Sequence, residues 1–308
     1  MGPSTDVGVS CGMTMPEPPP IRTHQDPELF REAVNYTAAE TGFPSRLIEK
    51  DYFCSVILQH LAEAGCGLVF KGGTCLAKVH AGFYRLSEDL DFVIPTPVDA
   101  SRAERSRRAA ESKAAVANIA ERLPGLRVIA ALTGANASTQ YIGVVGYTSL
   151  LGRQGGTIKI EVGLREPLLT PIIGGAAQTL LLAPRSGSPL VPALTLPCLS
   201  RKEAMAEKLR AALSRREVAI RDFYDIDYAV RNLSLRVLEP EMLTLVRRKL
   251  EVPNTDAVDV SPARLAALRP QLEPQLQSVL RARDYASFDL DRAFATVTEV
   301  AAALGQTP

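Results

Sequence analysis

The stretch Leu68-Val69-Phe70-Lys71-Gly72-Gly73-Thr74, followed sixteen residues after Gly73 by Asp89-Leu90-Asp91-Phe92-Val93-Ile94, decides the reading of this chain. Residues 68–70 form a short apolar run of strand type that ends at a pair of glycines. A brief helix is expected over 74–80, up to a turn at Gly82. Glycines at a strand-to-helix turn let the backbone approach a phosphorylated ligand, whose oxygens the free N–H groups of the helix start can bind. The same turn also needs glycine for steric reasons alone. Residues 90–94 read as a second strand, closed by Pro95 and Pro97. Side chains two apart on a strand share a face, so Asp89 and Asp91 project together while Leu90 and Phe92 pack inward. Two adjacent carboxylates repel, and a shared divalent cation is the usual resolution; an isolated Asp-x-Asp is also found at solvated strand ends. Mg²⁺ accepts one or two carboxylates together with phosphate oxygens.

A third element changes the weight of the first two. Thr157-Ile158-Lys159-Ile160-Glu161-Val162 alternates cleanly, so Lys159 and Glu161 leave one face of a later strand. Glu161 would complete a three-carboxylate site for one or two metals. Two such ions clamp the attacking and leaving oxygens of an in-line phosphoryl displacement. Near the carboxylates, Arg85 is a candidate phosphate contact through its guanidinium fork, or the ion-pair partner of Asp89. Ser87 either touches a nucleotide or caps the turn, and Lys71 either approaches a triphosphate or ends the strand.

Helices are expected over 27–41 and 44–64, stopped by Gly42 and Gly65, and a long amphipathic helix over 99–123. Strands are expected over 126–132, 140–147 and 157–162. Residues 167–197 read as a loop punctuated by Pro and Gly, with one apolar run at 179–182. From residue 199 the pattern is helical nearly to the end, broken at Pro253, Pro262 and Pro270. The fold class is therefore α+β: a mixed sheet flanked by helices over 25–198, then a helical region over 199–308. Residues 1–24, which include Pro16-Glu17-Pro18-Pro19-Pro20, read as a disordered leader, with Met13 or Met15 as alternative starts.

The chain has 308 residues, 46% of them hydrophobic, and a net charge of +1. That balance excludes a global field that would draw it to nucleic acid, so any polyanion site must be local. The five cysteines and three histidines show neither zinc-ligand nor redox-motif spacing and read as reduced, mostly buried thiols and scattered imidazoles. No apolar run is long enough for a bilayer and no signal peptide is evident, which places the chain in the cytoplasm.

Glycine pair, Asp-x-Asp on a strand, then an acidic residue on a later strand is the order found in DNA-polymerase-β-like nucleotidyltransferases. The resemblance becomes closer in detail. Lys71-Gly72-Gly73-Thr74-x-Leu76 and Arg85-x-Ser87-x-Asp89-x-Asp91-Phe92 resemble the AbiEii/MenT-type nucleotidyltransferase toxins, and so does the upstream Glu49-Lys50-Asp51-Tyr52-Phe53. Ala206-Glu207-Lys208-Leu209-Arg210-Ala211 and Arg221-Asp222-Phe223-Tyr224-Asp225-Ile226 resemble that family's two C-terminal helical motifs. The likeness covers roughly residues 31–230.

It implies a polymerase-β-like core in which Asp89 and Asp91 are metal ligands and Glu161 is the third acidic residue. It also implies Gly72, Gly73 and Thr74 at the nucleotide, Lys208 on a phosphate, and Asp222 as a catalytic or orienting carboxylate. Read without the resemblance, Asp222, Asp225 and Asp227 are a set of surface ion pairs. The implied reaction moves a nucleoside monophosphate from an NTP to a hydroxyl, using Mg²⁺ or Mn²⁺. The implied context is a toxin–antitoxin or phage-defence pair, with tRNA as acceptor and a cognate antitoxin as partner. Basic clusters at 102–108, Arg215-Arg216, Arg221 and Arg247-Arg248-Lys249 are compatible with RNA or with solvated helix faces. The alternatives are a small-molecule nucleotidyltransferase of the antibiotic-modifying kind, or a non-catalytic regulatory protein on the same fold.

Overall fold

The computed structural model describes residues 20–152 and 154–305. The expected leader over 1–24 and the alternative starts at Met13 and Met15 therefore lie, apart from residues 20–24, outside the described residues. Those last residues of the leader are tied down. The Ile21 N–H donates to Gln59 Oε1 at 2.7 Å, and His24 Nδ1 meets the Tyr52 hydroxyl at 2.8 Å.

Helix α1 (Pro27–Thr41) starts where the Asp26 carboxylate accepts the Leu29 N–H and Pro27 occupies the first turn. It stops at Gly42, in the left-handed region at φ 76°. Phe30, Ala33, Val34 and Thr37, at helical spacing, are its buried face. Helix α2 (Ser45–Glu63) is buried along most of its length and packs beneath the sheet.

The sheet has seven strands: β1 (Val69–Lys71), β2 (Leu90–Val93), β3 (Leu126–Ala135), β4 (Gln140–Tyr147), β5 (Gly156–Gly163), β6 (Ile173–Ala177) and β7 (Leu194–Cys198). Their order across the sheet is β3-β4-β5-β2-β1-β7-β6. The pairs β2–β5 and β1–β7 are parallel and the others antiparallel, so the sheet is mixed. A helical turn, α3 (Gly72–Cys75), follows β1 directly and passes into a π-helical turn at Leu76–His80.

Three expectations change. The stretch over 167–197 is not all loop, because β6 and β7 form its two ends. Gly174-Gly175 and Pro197 conceal them, since these residues lower strand propensity and long-range pairing supplies what propensity lacks. The helix expected over 99–123 is three helices in series, α4 (Arg102–Arg108), α5 (Ala110–Ala117) and α6 (Ile119–Arg122), broken at Ala109 and Asn118. Asp89 stands one residue before β2 rather than within it.

The C-terminal region holds α7 (Arg201–Ser214), α8 (Ile220–Asn232), α9 (Pro240–Leu250), α10 (Pro262–Leu268), α11 (Ala282–Ser287) and α12 (Leu290–Ala303). One hydrophobic core runs from Phe30 to Ala301 and includes residues of both the sheet and these helices. Two charged groups read as surface are interior. Lys249, taken with Arg247-Arg248 as a basic face, is fully buried on α9 among Glu203 (2.8 Å), Glu166 (3.2 Å) and Glu207 (3.2 Å). Asp222, Asp225 and Asp227 are likewise buried rather than solvated, because the strongly amphipathic α8 turns this acidic row against basic side chains from other elements. No described helix is long and apolar enough to cross a membrane.

Removing one partner from a buried ionic cluster leaves uncompensated charge. Lys249→Met should therefore lower unfolding free energy by about 3–5 kcal/mol, measured by urea denaturation, despite its similar volume. A change below about 1 kcal/mol would show the three glutamates to be indifferent to Lys249.

Candidate functional site

Register builds the site. On β1 and β2, Lys71 pairs with Asp91, and Asp91 pairs in turn with Glu161 on β5. Residues directly opposite across neighbouring strands share a face, so Lys71, Asp91 and Glu161 form a row across the middle of the sheet. Asp89, two residues before Asp91, joins them in one cleft of about 560 Å³, into which Gly72, Gly73, Arg85, Ser87, Lys159, Lys208 and Asp222 also open. The site residues expected from sequence thus come together, apart from Thr74, which is buried behind the cleft wall.

Both glycines are required at their positions. Gly72 has φ +74°, and a Cβ there would stand 2.2 Å from Asp91 Oδ2. A Cβ on Gly73 would stand 2.5 Å from the Arg85 guanidinium and 3.0 Å from Ser87 Oγ. The turn therefore lies in contact with the side chains around it. The Thr74 hydroxyl donates to the Asp89 carbonyl and fastens the acidic loop to α3.

One wall of the cleft is acidic. Asp89 and Glu161 flank the Lys159 ammonium, at 3.9 and 3.2 Å. Burial pushes the Asp91 carboxyl up to about 6, helped by Glu161 and then Asp89, with Lys71 and Lys159 opposing. The opposite wall is basic and comes from α7 and from α8 with the residues before it, through Lys208, Arg210, Arg215 and Arg221. Seven cationic side chains line the cleft against five carboxylates.

Behind the basic wall is a buried ionic cluster. Asp225 accepts from Arg85 Nε at 2.5 Å, Arg85 Nη2 at 2.8 Å and the Tyr84 hydroxyl at 2.6 Å, and Lys208 Nζ lies 2.9 Å from it. Burial alone would raise the Asp225 carboxyl, but Arg85 and Lys208 reverse this and hold it far below the usual carboxylate range. Lys208 also donates to Asp222 at 2.7 Å, and Arg215 donates to the other Asp222 oxygen at 3.2 Å. The ion-pair partner of Arg85 is thus Asp225, not Asp89. Beside Gly72, Lys71 donates to Glu207 at 2.8 Å, and Glu207 continues to Lys249. Asp225 and Glu207 lie within the helical motifs, but nothing local in the sequence marks either as part of the site. Their spacing on α7 and α8 shows amphipathicity but not which cation each would meet.

Three carboxylate side chains on one wall of a cleft whose other wall is basic suit a hard divalent ion such as Mg²⁺, which retains water and phosphate ligands. Glu161 and Asp89 are close enough to raise the proton affinity of Asp91, and relief of such repulsion is what a cation supplies. Among the described residues, the His, Cys, Asp or Glu ligand atoms that converge within 4.8 Å of one another are those of Cys75, His80 and Cys198 instead.

Residues 56–300 match the family described as nucleotidyl transferase AbiEii toxin, type IV toxin–antitoxin system. Among solved structures, the chain is similar to JHP933 from Helicobacter pylori, at 14% identity and TM-score 0.47, covering 83% of this chain and 92% of that one. A second H. pylori protein, provisionally assigned as a nucleotidyltransferase, aligns at 15% identity and TM-score 0.42 over 80% and 91%. No curated protein resembles the chain closely enough to count as a match.

The raised Asp91 pKa has a defined stability signature. Folded protein holds this proton more tightly than unfolded chain, so its contribution is complete below pH 3.8 and is lost as pH rises through about 6. Without divalent cations, Asp91→Asn should be more stable than wild type by about 1–3 kcal/mol at neutral pH and equal to it near pH 4. Thermal melts across that range measure the difference, and a pH-independent gap would place the effect elsewhere.

Proposed function

The chain belongs to the nucleotidyl transferase AbiEii toxin family, and from that premise we propose that it moves a nucleoside monophosphate from an NTP to a hydroxyl acceptor on tRNA, releasing pyrophosphate. The observation that carries this reading is the two-sided cleft: three carboxylates on the sheet face four basic side chains on the helical side, with the glycine turn between them. A triphosphate complexed to a cation needs both signs of charge at once.

Asp89, Asp91 and Glu161 would hold Mg²⁺ or Mn²⁺. Such an ion, when bound, lowers the pKa of the acceptor hydroxyl and neutralises charge on the phosphates. The rest falls to the protein. Gly72 and Gly73 admit the phosphate chain close to the backbone, where a side chain would exclude it. An ammonium has three donors. Two of those on Lys208 are committed to Asp222 and Asp225, which aim the third at the cleft for a β- or γ-phosphate oxygen. Asp222 thus acts as an orienting carboxylate, and Arg85, neutralised by Asp225, contributes at the floor near Gly73. Ser87 stands beside Gly73, where its hydroxyl can reach the nucleotide. Arg210, Arg215 and Arg221 extend positive charge outward along the path for a polyanionic acceptor. Most of the acceleration comes from positioning and charge stabilisation. Membership in a type IV toxin–antitoxin family fits a cognate antitoxin as partner, a cytoplasmic site of action and a role in phage defence.

Incubation of the protein with each α-labelled NTP, Mg²⁺ and total tRNA tests the reading, with label expected on tRNA and lost on chelation. Asp89→Ala and Asp91→Ala should each reduce transfer at least about a hundredfold. Lys208→Ala should lower turnover strongly and Lys208→Arg rescue it poorly, because a guanidinium fork cannot replace a point charge held between two aspartates. Label that appears only on small cationic hydroxyl compounds would make the acceptor a small molecule. Undiminished transfer in both aspartate variants would overturn the site.

A further inference from the structure

Behind the glycine turn, three residues unremarkable in sequence meet. Cys75 ends α3, His80 ends the π-helical turn, and Cys198 ends β7, next to Phe70 of β1 in the parallel register. Their ligand atoms all lie within 4.8 Å of one another. Linear spacing hides this, because Cys198 lies 118 positions after His80 and the pair Cys75/His80 is five apart. In an α-helix that offset points away. The π-helical turn, with its i→i+5 bonding, brings residue 80 back over residue 75.

We propose that Cys75, His80 and Cys198 bind a zinc-class divalent cation that straps the glycine-turn helix to strand β7. Two sulfurs and an imidazole are a donor set for soft or borderline ions, unlike the all-oxygen carboxylate wall. His80 Nε2 lies 2.9 Å from the Leu199 carbonyl and donates to it, which leaves the Nδ1 lone pair available. A backbone carbonyl on the far nitrogen is the usual way a metal-binding histidine is oriented. Both cysteines are fully buried and neither is in a disulfide.

Strand β6 leaves room for the sulfur by carrying glycine there: a Cβ on Gly175 would stand 2.4 Å from Cys198 Sγ. Beside Cys75, and with help from His80, the Cys198 thiol is drawn below its ordinary range against the effect of burial. The Cys75 thiol is pushed well up by burial and by its neighbour. Water would complete the coordination of a bound cation, His80 being the one partly exposed member.

The full-length protein, purified under reducing conditions and freed of metal by chelation, should be titrated with Co²⁺ and then Zn²⁺. One Co²⁺ per chain with sulfur-to-cobalt charge-transfer absorption is expected, bleached by Zn²⁺. His80→Ala should weaken zinc at least about tenfold, and Cys75→Ser and Cys198→Ser should each lower the charge-transfer intensity. Asp91→Asn should retain the band, separating this site from the carboxylate cleft. If a cysteine variant does not fold, the wild-type spectrum still decides. Absence of the thiolate–cobalt band from folded, fully reduced wild type would overturn the proposal. So would a band of undiminished intensity in both folded serine variants, or a native Cys75–Cys198 disulfide found by intact mass.

Discussion

The arrangement depends on the buried ion pair between Arg85 and Asp225. Arg85 belongs to the segment that leads from the glycine turn to β2, and Asp225 to α8 in the C-terminal helices. Through this pair, with Lys208 from α7 and the Tyr84 hydroxyl, the acidic and basic walls of the cleft are held face to face. Burial of a lone charge costs several kcal/mol, so neither side is complete without the other. The cluster adds little net stability over an apolar equivalent. What it supplies is register between two parts of the chain that otherwise meet through apolar side chains, which fix position less sharply.

The same cluster explains how Lys208 can be both buried and useful. An ammonium at the edge of the cleft, anchored by two aspartates, keeps its charge: burial alone would lower its pKa, and Asp222 and Asp225 raise it above the ordinary value. On the facing wall the opposite holds. Asp91 is buried beside like charges and loses charge easily in the absence of a cation. One wall is electrostatically satisfied and the other is not, and the unsatisfied wall is where an incoming cation has most to offer.

Much of this was legible in sequence because local signals agreed. The apolar run before Gly72-Gly73, the alternation around Glu161 and the phase of Asp89 with Asp91 each carried period and punctuation. Helices α1 and α2 were bounded by Pro and Gly in the expected places. What escaped depends on long-range pairing. Strands β6 and β7 carry Gly174, Gly175 and Pro197, and only their neighbours make them strands. Lys249 and Asp225 look like surface charge until the partners that bury them are known. Cys75, His80 and Cys198 needed both a π-helical turn and a parallel strand pair to meet.

The most direct measurement is anomalous scattering from crystals grown with Mn²⁺ and a non-hydrolysable NTP analogue. The account predicts a manganese peak at coordination distance from Asp89 and Asp91, with the triphosphate running past Gly72-Gly73 to Lys208. A nucleotide bound elsewhere, or a triphosphate in this cleft with no metal at either aspartate, would contradict it.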